Sequence, residues 1–337
     1  MAAALDPSRR VRWGILGAGR IAGKVAVDVR ASPHSEIVAV AAREGERARA
    51  FAETHGVARS YGSYAELLAD DEVDVVYIAT THGQHHEQAL QTFDAGKPAL
   101  VEKAFTLNAR QAAEVINAAR ARELFCMEAM WMRTNRLIRT ALDLVGEGRI
   151  GELRSVTADN GLLFPYDPAH RLYDLGAGGG ALLDLGVYSV TFAWIFLGEP
   201  ARVRATGSLS PTGSDQTMAM QWEYDDDRFA HVSCTTTAAT PARGVVVGTK
   251  GSLTLGRPFY KPETLLIEQA DGRTITTEEI LQPLVGNGYG PEIAEVERCL
   301  RAGLTESPLV TLDDTLAIMR LMDRARADVG VRYAVDG

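Results

Sequence analysis

The hexapeptide Gly17-Ala18-Gly19-Arg20-Ile21-Ala22 constrains this chain more than any other feature. It joins a short apolar run, residues 11–16, to a stretch with helical spacing, residues 20–30. Glycine at 17 permits a tight turn, and glycine at 19 lets backbone amides approach a pyrophosphate. The small Ala22 lets helix and strand pack closely. The helix N-terminus then faces the phosphates. Because the motif opens the first strand–helix–strand unit, it predicts a dinucleotide site built on Gly17, Gly19, Arg20 and Ile21.

The pattern continues as alternation. Apolar runs at 36–42 (rich in valine), 73–79, 99–102 and 124–127 are separated by helical stretches at 44–55, 84–93 and 108–122. Such alternation predicts a parallel sheet with crossover helices, a Rossmann domain over residues 9–126. The second strand runs out at Arg43, about twenty residues past the glycine turn, where an acidic residue would hold an NAD ribose. Arginine there suits a 2′-phosphate. Arg47, one helical turn on, can converge on the same group. NADP is therefore expected in preference to NAD.

Beyond residue 127 the texture changes. Helical spacing at 134–145 precedes a strand at 152–159, then a loop rich in glycine, proline and aromatics at 161–180. The apolar stretch 181–197 is interrupted by Asp184, which favours a buried helix over a membrane span. From 201 to 278 the chain reads as strands punctuated by Asp226-Asp227, Lys250-Gly251 and Asp271-Gly272. Two helices close it, at 291–302 and 312–329, the second capped by Thr311. This predicts an α+β domain over 127–337 with one largely antiparallel, open sheet. Met218, Met220, Trp222, Val232 and Cys234 fall on alternating apolar positions of that sheet, whose faces both need cover. Helices cover one face only, so the other is expected to meet a second copy in a C2 homodimer.

Asp184 and Tyr188 are four apart on an otherwise apolar helix and so share a face. A buried carboxylate without a partner is expensive, so Asp184 must be paired or line a cavity. Lys103 directly follows a strand's carboxyl end, where open α/β sheets bind ligands. Phe164, Tyr166, Tyr173 and Arg171 either cover the substrate or pack a seam between domains. His82, His85 and His86 cluster without a further ligand, so no metal is expected.

The chain resembles the glucose-fructose oxidoreductase / inositol dehydrogenase / rhizopine-catabolism (Gfo/Idh/MocA) family over nearly its whole length. The likeness rests on the glycine turn, Tyr61-Gly62-Ser63-Tyr64, Thr80-Thr81-His82-Gly83-Gln84-His85, Gly96-Lys97-Pro98 and Glu102-Lys103. It continues through Glu128-Ala129-Met130-Trp131, Gly148-Arg149-Ile150-Gly151 and Gly178-Gly179-Gly180 to Asp184 and Tyr188. The arginine pair, Trp131 and a tyrosine at 188 point to an NADP-using branch that oxidises trans-dihydrodiols and aldopyranoses such as xylose. The resemblance implies catalytic roles for Lys103, Asp184 and Tyr188. It places Thr80, His82, His85, Glu102 and Lys103 on the cofactor, and Trp131, Phe164, Arg171, Asp184 and Tyr188 around the substrate. Ala104 departs from the family's proline after the lysine, and a cis bond before alanine costs roughly 2.5–4 kcal/mol.

These readings predict an NADP-dependent oxidoreductase moving a hydride to or from a secondary alcohol of a cyclic polyol. A phenol ionises near pH 10, so Tyr188 as a base needs a cation such as Lys103 beside it. The alternatives are a nucleotide-sugar ketoreductase and a non-catalytic NADP-sensing regulator of the same fold. Nucleic acid is not an expected partner, since 35 basic against 44 acidic residues leave a net charge of −9. Residues 1–10 hold no apolar leader core. Cys126, Cys234 and Cys299 have neither disulfide nor metal-ligand spacing. A cytoplasmic protein without membrane attachment is expected.

Overall fold

The computed structural model describes residues 5–6 and 8–337, so part of the N-terminal segment considered above lies outside the described residues. The elements follow in order β1 (Val11–Leu16), α1 (Arg20–Ala31), β2 (Ser35–Ala41), α2 (Gly45–His55), β3 (Arg59–Tyr61) and α3 (Tyr64–Leu68). Then come β4 (Val75–Ile78), α4 (His82–Asp94), β5 (Ala99–Glu102), α5 (Ala109–Ala121) and β6 (Cys126–Ala129). The later chain supplies α6 (Arg136–Gly146), β7 (Leu153–Gly161), α7 (Val187–Leu197), β8 (Arg202–Leu209), β9 (Asp215–Glu223) and β10 (Phe229–Thr235). It ends with β11 (Gly244–Gly248), β12 (Gly251–Leu255), β13 (Thr264–Asp271), β14 (Thr274–Leu281), α8 (Gly290–Arg301) and α9 (Leu312–Val329).

These elements form two compact units, one of residues 1–134 and 285–316, the other of residues 135–284 and 317–337. The division therefore differs from a single cut at 126/127. Residues 285–316, α8 among them, return to the first unit. There α8 packs on α1 and on the 3-10 turn Trp131–Thr134. Amphipathic spacing reveals that α8 has a buried face but not which sheet receives it.

In the first unit six parallel strands take the order β3-β2-β1-β4-β5-β6. The order reverses between β1 and β4, and ligands of such sheets bind outside the carboxyl ends of the strands at that switch point. The strands are near-continuous runs of buried Val, Ile, Leu and Ala because helices cover both faces. The sequence pattern gives no sign of β3, α3 or the 3-10 turn Trp131–Thr134, which are too short to show a period.

The second unit carries eight strands in the order β14-β13-β12-β11-β7-β10-β9-β8, antiparallel except where β7 meets β10. All three expected hairpin turns are present. A π-helical turn, Leu182–Gly186, and α7 lie on β7, β9 and β10. The segment 175–197 has the length and composition of a membrane span, yet nearly all of it is buried inside the protein. Met218, Met220, Trp222, Val232 and Cys234 face these helices and are buried by them. The apolar alternation therefore marks the helix-covered face. Ala219, Gln221, Phe229 and His231 stand exposed on the other.

Candidate active site

Both strands at the switch point end in candidate cofactor residues. Gly17 has φ +100, and a Cβ there would come within 2.8 Å of the Ala79 carbonyl oxygen just beyond β4. Only glycine meets both conditions. Gly19 is the N-cap of α1 and offers no side-chain cap, and a Cβ there would meet nothing within 4 Å. The first amides of α1 thus open onto free space, with Arg20 exposed and Ile21 half-buried beside them. That cradle fits a pyrophosphate.

Arg43 and Arg47 are exposed after β2 and on α2. Both act on the Tyr64 phenol, whose pKa is nonetheless raised, chiefly by burial. Tyr64 also bonds the Gln88 side chain, and Gln88 accepts from the Thr80 hydroxyl at 2.7 Å. Both arginine charges thus reach the same phenol, which is linked through Gln88 to Thr80 just beyond β4. Tyr64 ends the family-like run Tyr61-Gly62-Ser63-Tyr64, but nothing in that run gives it a role.

His82 and His85 are buried in the first turns of α4, their rings 5.7 Å apart edge to face. The His85 nitrogens lie 3.0 Å from the Ala104 carbonyl and 3.3 Å from that of Thr80. Burial pushes its pKa down to about 4, so the ring is neutral at pH 7. A neutral ring donates one N–H, so His85 holds one of these two carbonyls by a hydrogen bond while its other nitrogen lies close to the second. His86 lies on the helix surface with Nε2 2.7 Å from Glu114. Among the described residues no group of His, Cys, Asp and Glu is arranged to hold a metal.

Glu102 is buried at the end of β5, accepting from the Tyr77 hydroxyl and, at 3.2 Å, from the Lys103 amide. It is built into the strand end beneath Lys103, whose own side chain is half-buried. The Lys103–Ala104 peptide bond is cis. Trp131 stacks on Tyr289 at 4.3 Å, within the first unit. Tyr289 comes from the return segment and had no motif to mark it.

In the second unit Asp184 lies in the π-helical turn and Tyr188 one turn later in α7, both buried. Arg171 sets both terminal guanidinium nitrogens 3.0 Å from Asp184 Oδ1. This pairing resolves the expense of the buried carboxylate. Tyr188 stacks on Tyr260 at 4.4 Å and 17°, a partner the sequence did not disclose. The aromatic loop is pinned: the Tyr173 hydroxyl donates to the Phe164 carbonyl at 2.8 Å, and the Phe164 amide to Thr236.

The expected site residues thus form two sets. Gly17, Gly19, Arg20, Ile21, Arg43, Arg47, Thr80, His82, His85, Glu102, Lys103 and Trp131 belong to the first unit, and Phe164, Arg171, Asp184 and Tyr188 to the second. Residues 11–130 match the family model described as "Oxidoreductase family, NAD-binding Rossmann fold", and residues 138–254 that of the "GFO/IDH/MocA C-terminal domain". The trans-1,2-dihydrobenzene-1,2-diol dehydrogenase of Danio rerio is 36% identical over 332 residues, covering 97% of this chain and 99% of its own. The chain belongs to the Gfo/Idh/MocA family. The Homo sapiens protein of the same name is 33% identical, with 97% of this chain and 99% of its own covered. A 3-ketoreductase from Actinomadura kijaniata, solved with TDP-benzene and NADP, superposes with a TM-score of 0.85 at 26% identity, over 95% of this chain and 98% of its own. An aldose-aldose oxidoreductase from Caulobacter crescentus shares the fold, with a TM-score of 0.84 at 23% identity over 96% and 98%. As a member of the Gfo/Idh/MocA family, the protein is an NAD(P)-dependent oxidoreductase.

Proposed function

We propose that the protein moves a hydride between NADP and a secondary ring alcohol of a cyclic polyol, a trans-dihydrodiol or an aldopyranose such as xylose. The full-length likeness to trans-1,2-dihydrobenzene-1,2-diol dehydrogenases carries this reading. Bound at the glycine turn, the dinucleotide supplies the hydride donor or acceptor. The Gly17–Gly19 cradle fits its pyrophosphate, and Arg43 with Arg47 fits a 2′-phosphate through charge-assisted hydrogen bonds. Tyr188 takes the hydroxyl proton during oxidation and returns it during reduction. On the same resemblance Lys103 is assigned a catalytic role. Asp184, already held by Arg171, orients a substrate hydroxyl. Trp131 and Phe164 suit a ring with an apolar face and hydroxyl edges.

The second reading is a ketoreductase of nucleotide-linked sugars, favoured by the likeness to the 3-ketoreductase bound to a TDP ligand. Following NADPH absorbance with a panel of trans-dihydrodiols, aldopyranoses and TDP-linked sugars separates them. Turnover of a dihydrodiol or xylose is expected with NADP. Turnover confined to TDP-linked sugars would replace the first reading with the second.

Two further proposals accompany this function. The exposed sheet face around Ala219 and Phe229 is the expected contact of a homodimer. The cysteines are free, buried and raised in pKa by that burial, which suits a reducing cytoplasm.

A further inference from the structure

Asp215 begins β9 and is almost completely buried. Its Oδ2 accepts the Leu182 amide at 2.6 Å, at the start of the π-helical turn that carries Asp184 and leads into Tyr188. Its Oδ1 occupies the space a Cβ on Gly180 would need, and Gly180 has φ +133. Gly179 is equally confined, since a Cβ there would come within 2.8 Å of the carbonyls of Leu172, Arg171 and Asp174. The glycines preceding the helix are thus required by a buried carboxylate on one side and by the Arg171 strand of loop on the other. The Tyr333 hydroxyl holds the same turn from a third direction, donating to the Gly179 carbonyl at 3.0 Å. Further on, the Asn160 amide donates to the Leu185 carbonyl at 3.1 Å within the π-helical turn.

We propose that Asp215 is a positioning residue for the reaction, an anion that seats the triglycine turn and the first helical amides so that Asp184 and Tyr188 are presented in fixed register. This rests on the roles assigned to Asp184 and Tyr188 above. A carboxylate at a helix start is favoured by the exposed amides and the helix dipole. The titratable groups acting on Asp215 are Arg326 on α9, Tyr333 in the C-terminal segment and the Cys234 thiol on β10; burial raises the pKa of the last two, so Arg326 alone of the three carries charge at neutral pH. Arg326 is in turn shared with Asp323 and Asp336. Burial outweighs the amide bonds and Arg326, and the Asp215 carboxyl is pushed up to about 6. Asp215 is therefore ionised at pH 7.5 and takes up a proton as the pH falls through 6, when the helix start loses its anion.

The test is Asp215→Asn in the full-length protein, an uncharged side chain of the same shape. Turnover at pH 7.5 is expected to fall roughly ten- to a hundredfold, the scale of a small misplacement of reacting groups. NADPH affinity, followed by cofactor fluorescence, should stay the same because the cofactor residues lie in the other unit. The unmodified enzyme should lose turnover with a midpoint near pH 6, and the variant should lack that acid limb. Unchanged turnover, or an acid limb retained in the variant, would overturn the proposal. Hydrogen exchange on the unmodified protein supplies a readout that needs neither the variant nor activity. Because a carboxyl with a raised folded pKa favours the closed turn once protonated, protection of the Leu182 amide should rise between pH 7.5 and 5.5, and a pH-independent protection factor would also overturn it. Should no polyol or sugar turn over, the functional reading fails while the exchange measurement still decides the role of Asp215.

Discussion

Arg43 and Arg47 gain their meaning from Tyr64, on which both act from the end of β2 and from α2. If they grip a 2′-phosphate, NADP should bind more tightly than NAD by about ten- to a hundredfold. Arg43→Asp should reverse that order, because it adds repulsion as well as removing attraction. Dissociation constants for both cofactors, measured on both proteins, check it; equal values in the unmodified protein would end the assignment. Tyr188 makes the second residue-scale prediction. It is buried against Tyr260, so Phe should preserve the stack while removing the hydroxyl. Turnover is expected to fall about 10²–10⁴-fold, the usual worth of general acid–base catalysis, with NADPH binding intact. A purely structural tyrosine would instead cost stability and keep its rate per folded molecule. His85 is a poor substitute base, since burial lowers its pKa to about 4 and disfavours its taking up a proton.

At the scale of elements, the carboxyl ends of β5 and β6 are crowded with acids. Glu102, Glu128 and Glu292 are all buried in the first unit, and Glu102 and Glu128 both repel Glu292. Burial pushes Glu128 up to about 7, against a bond from the Thr315 hydroxyl at 2.9 Å. Its folded pKa exceeds the ordinary 4.5, so its contribution to stability is complete below about pH 4.5 and is lost as pH rises through 7. Glu128→Gln has no such loss. Between pH 4.5 and 8 the variant should gain on the unmodified protein by an amount on the order of 3 kcal/mol, read from urea midpoints. Parallel pH dependence of the two proteins would show that Glu128 ionises freely. The triglycine turn gives a second prediction: Gly180→Ala should destabilise the second unit, since its Cβ would overlap the Asp215 carboxylate. Thermal unfolding checks this, and an unchanged midpoint would mean the turn has slack that the packing does not show.

At the scale of the whole molecule, among the described residues one face of the eight-stranded sheet carries no helix. On it His231 pairs with Gln221, Ser233 with Ala219 and Phe229 with Glu223. Phe229 is an exposed aromatic on this face, a residue type enriched at interfaces, with exposed Gln221 and His231 beside it. If two copies pair there, Ala219→Arg should convert a dimer into a 36.4 kDa monomer in sedimentation at micromolar concentration. A monomeric unmodified protein would refute the pairing.

The sequence by itself determined the first sheet almost strand for strand, because each parallel strand is a continuous apolar run and each crossover helix has its own period. It also marked Gly17, Lys103 and Asp184, whose residue types are costly in an ordinary core, whereas Tyr188 was marked by the family resemblance. The hairpin turns of the second sheet were legible for the same local reason, through Asp226-Asp227, Lys250-Gly251 and Asp271-Gly272. Only the tertiary structure decided which face of that sheet the helices cover, since alternation says that a face is buried and not by what. It alone showed that residues 285–316 return to the first unit and bring Tyr289 onto Trp131. It alone supplied Tyr64, Tyr260 and Asp215. Each acts through a contact between residues distant in the chain, and no local period or spacing records such a contact.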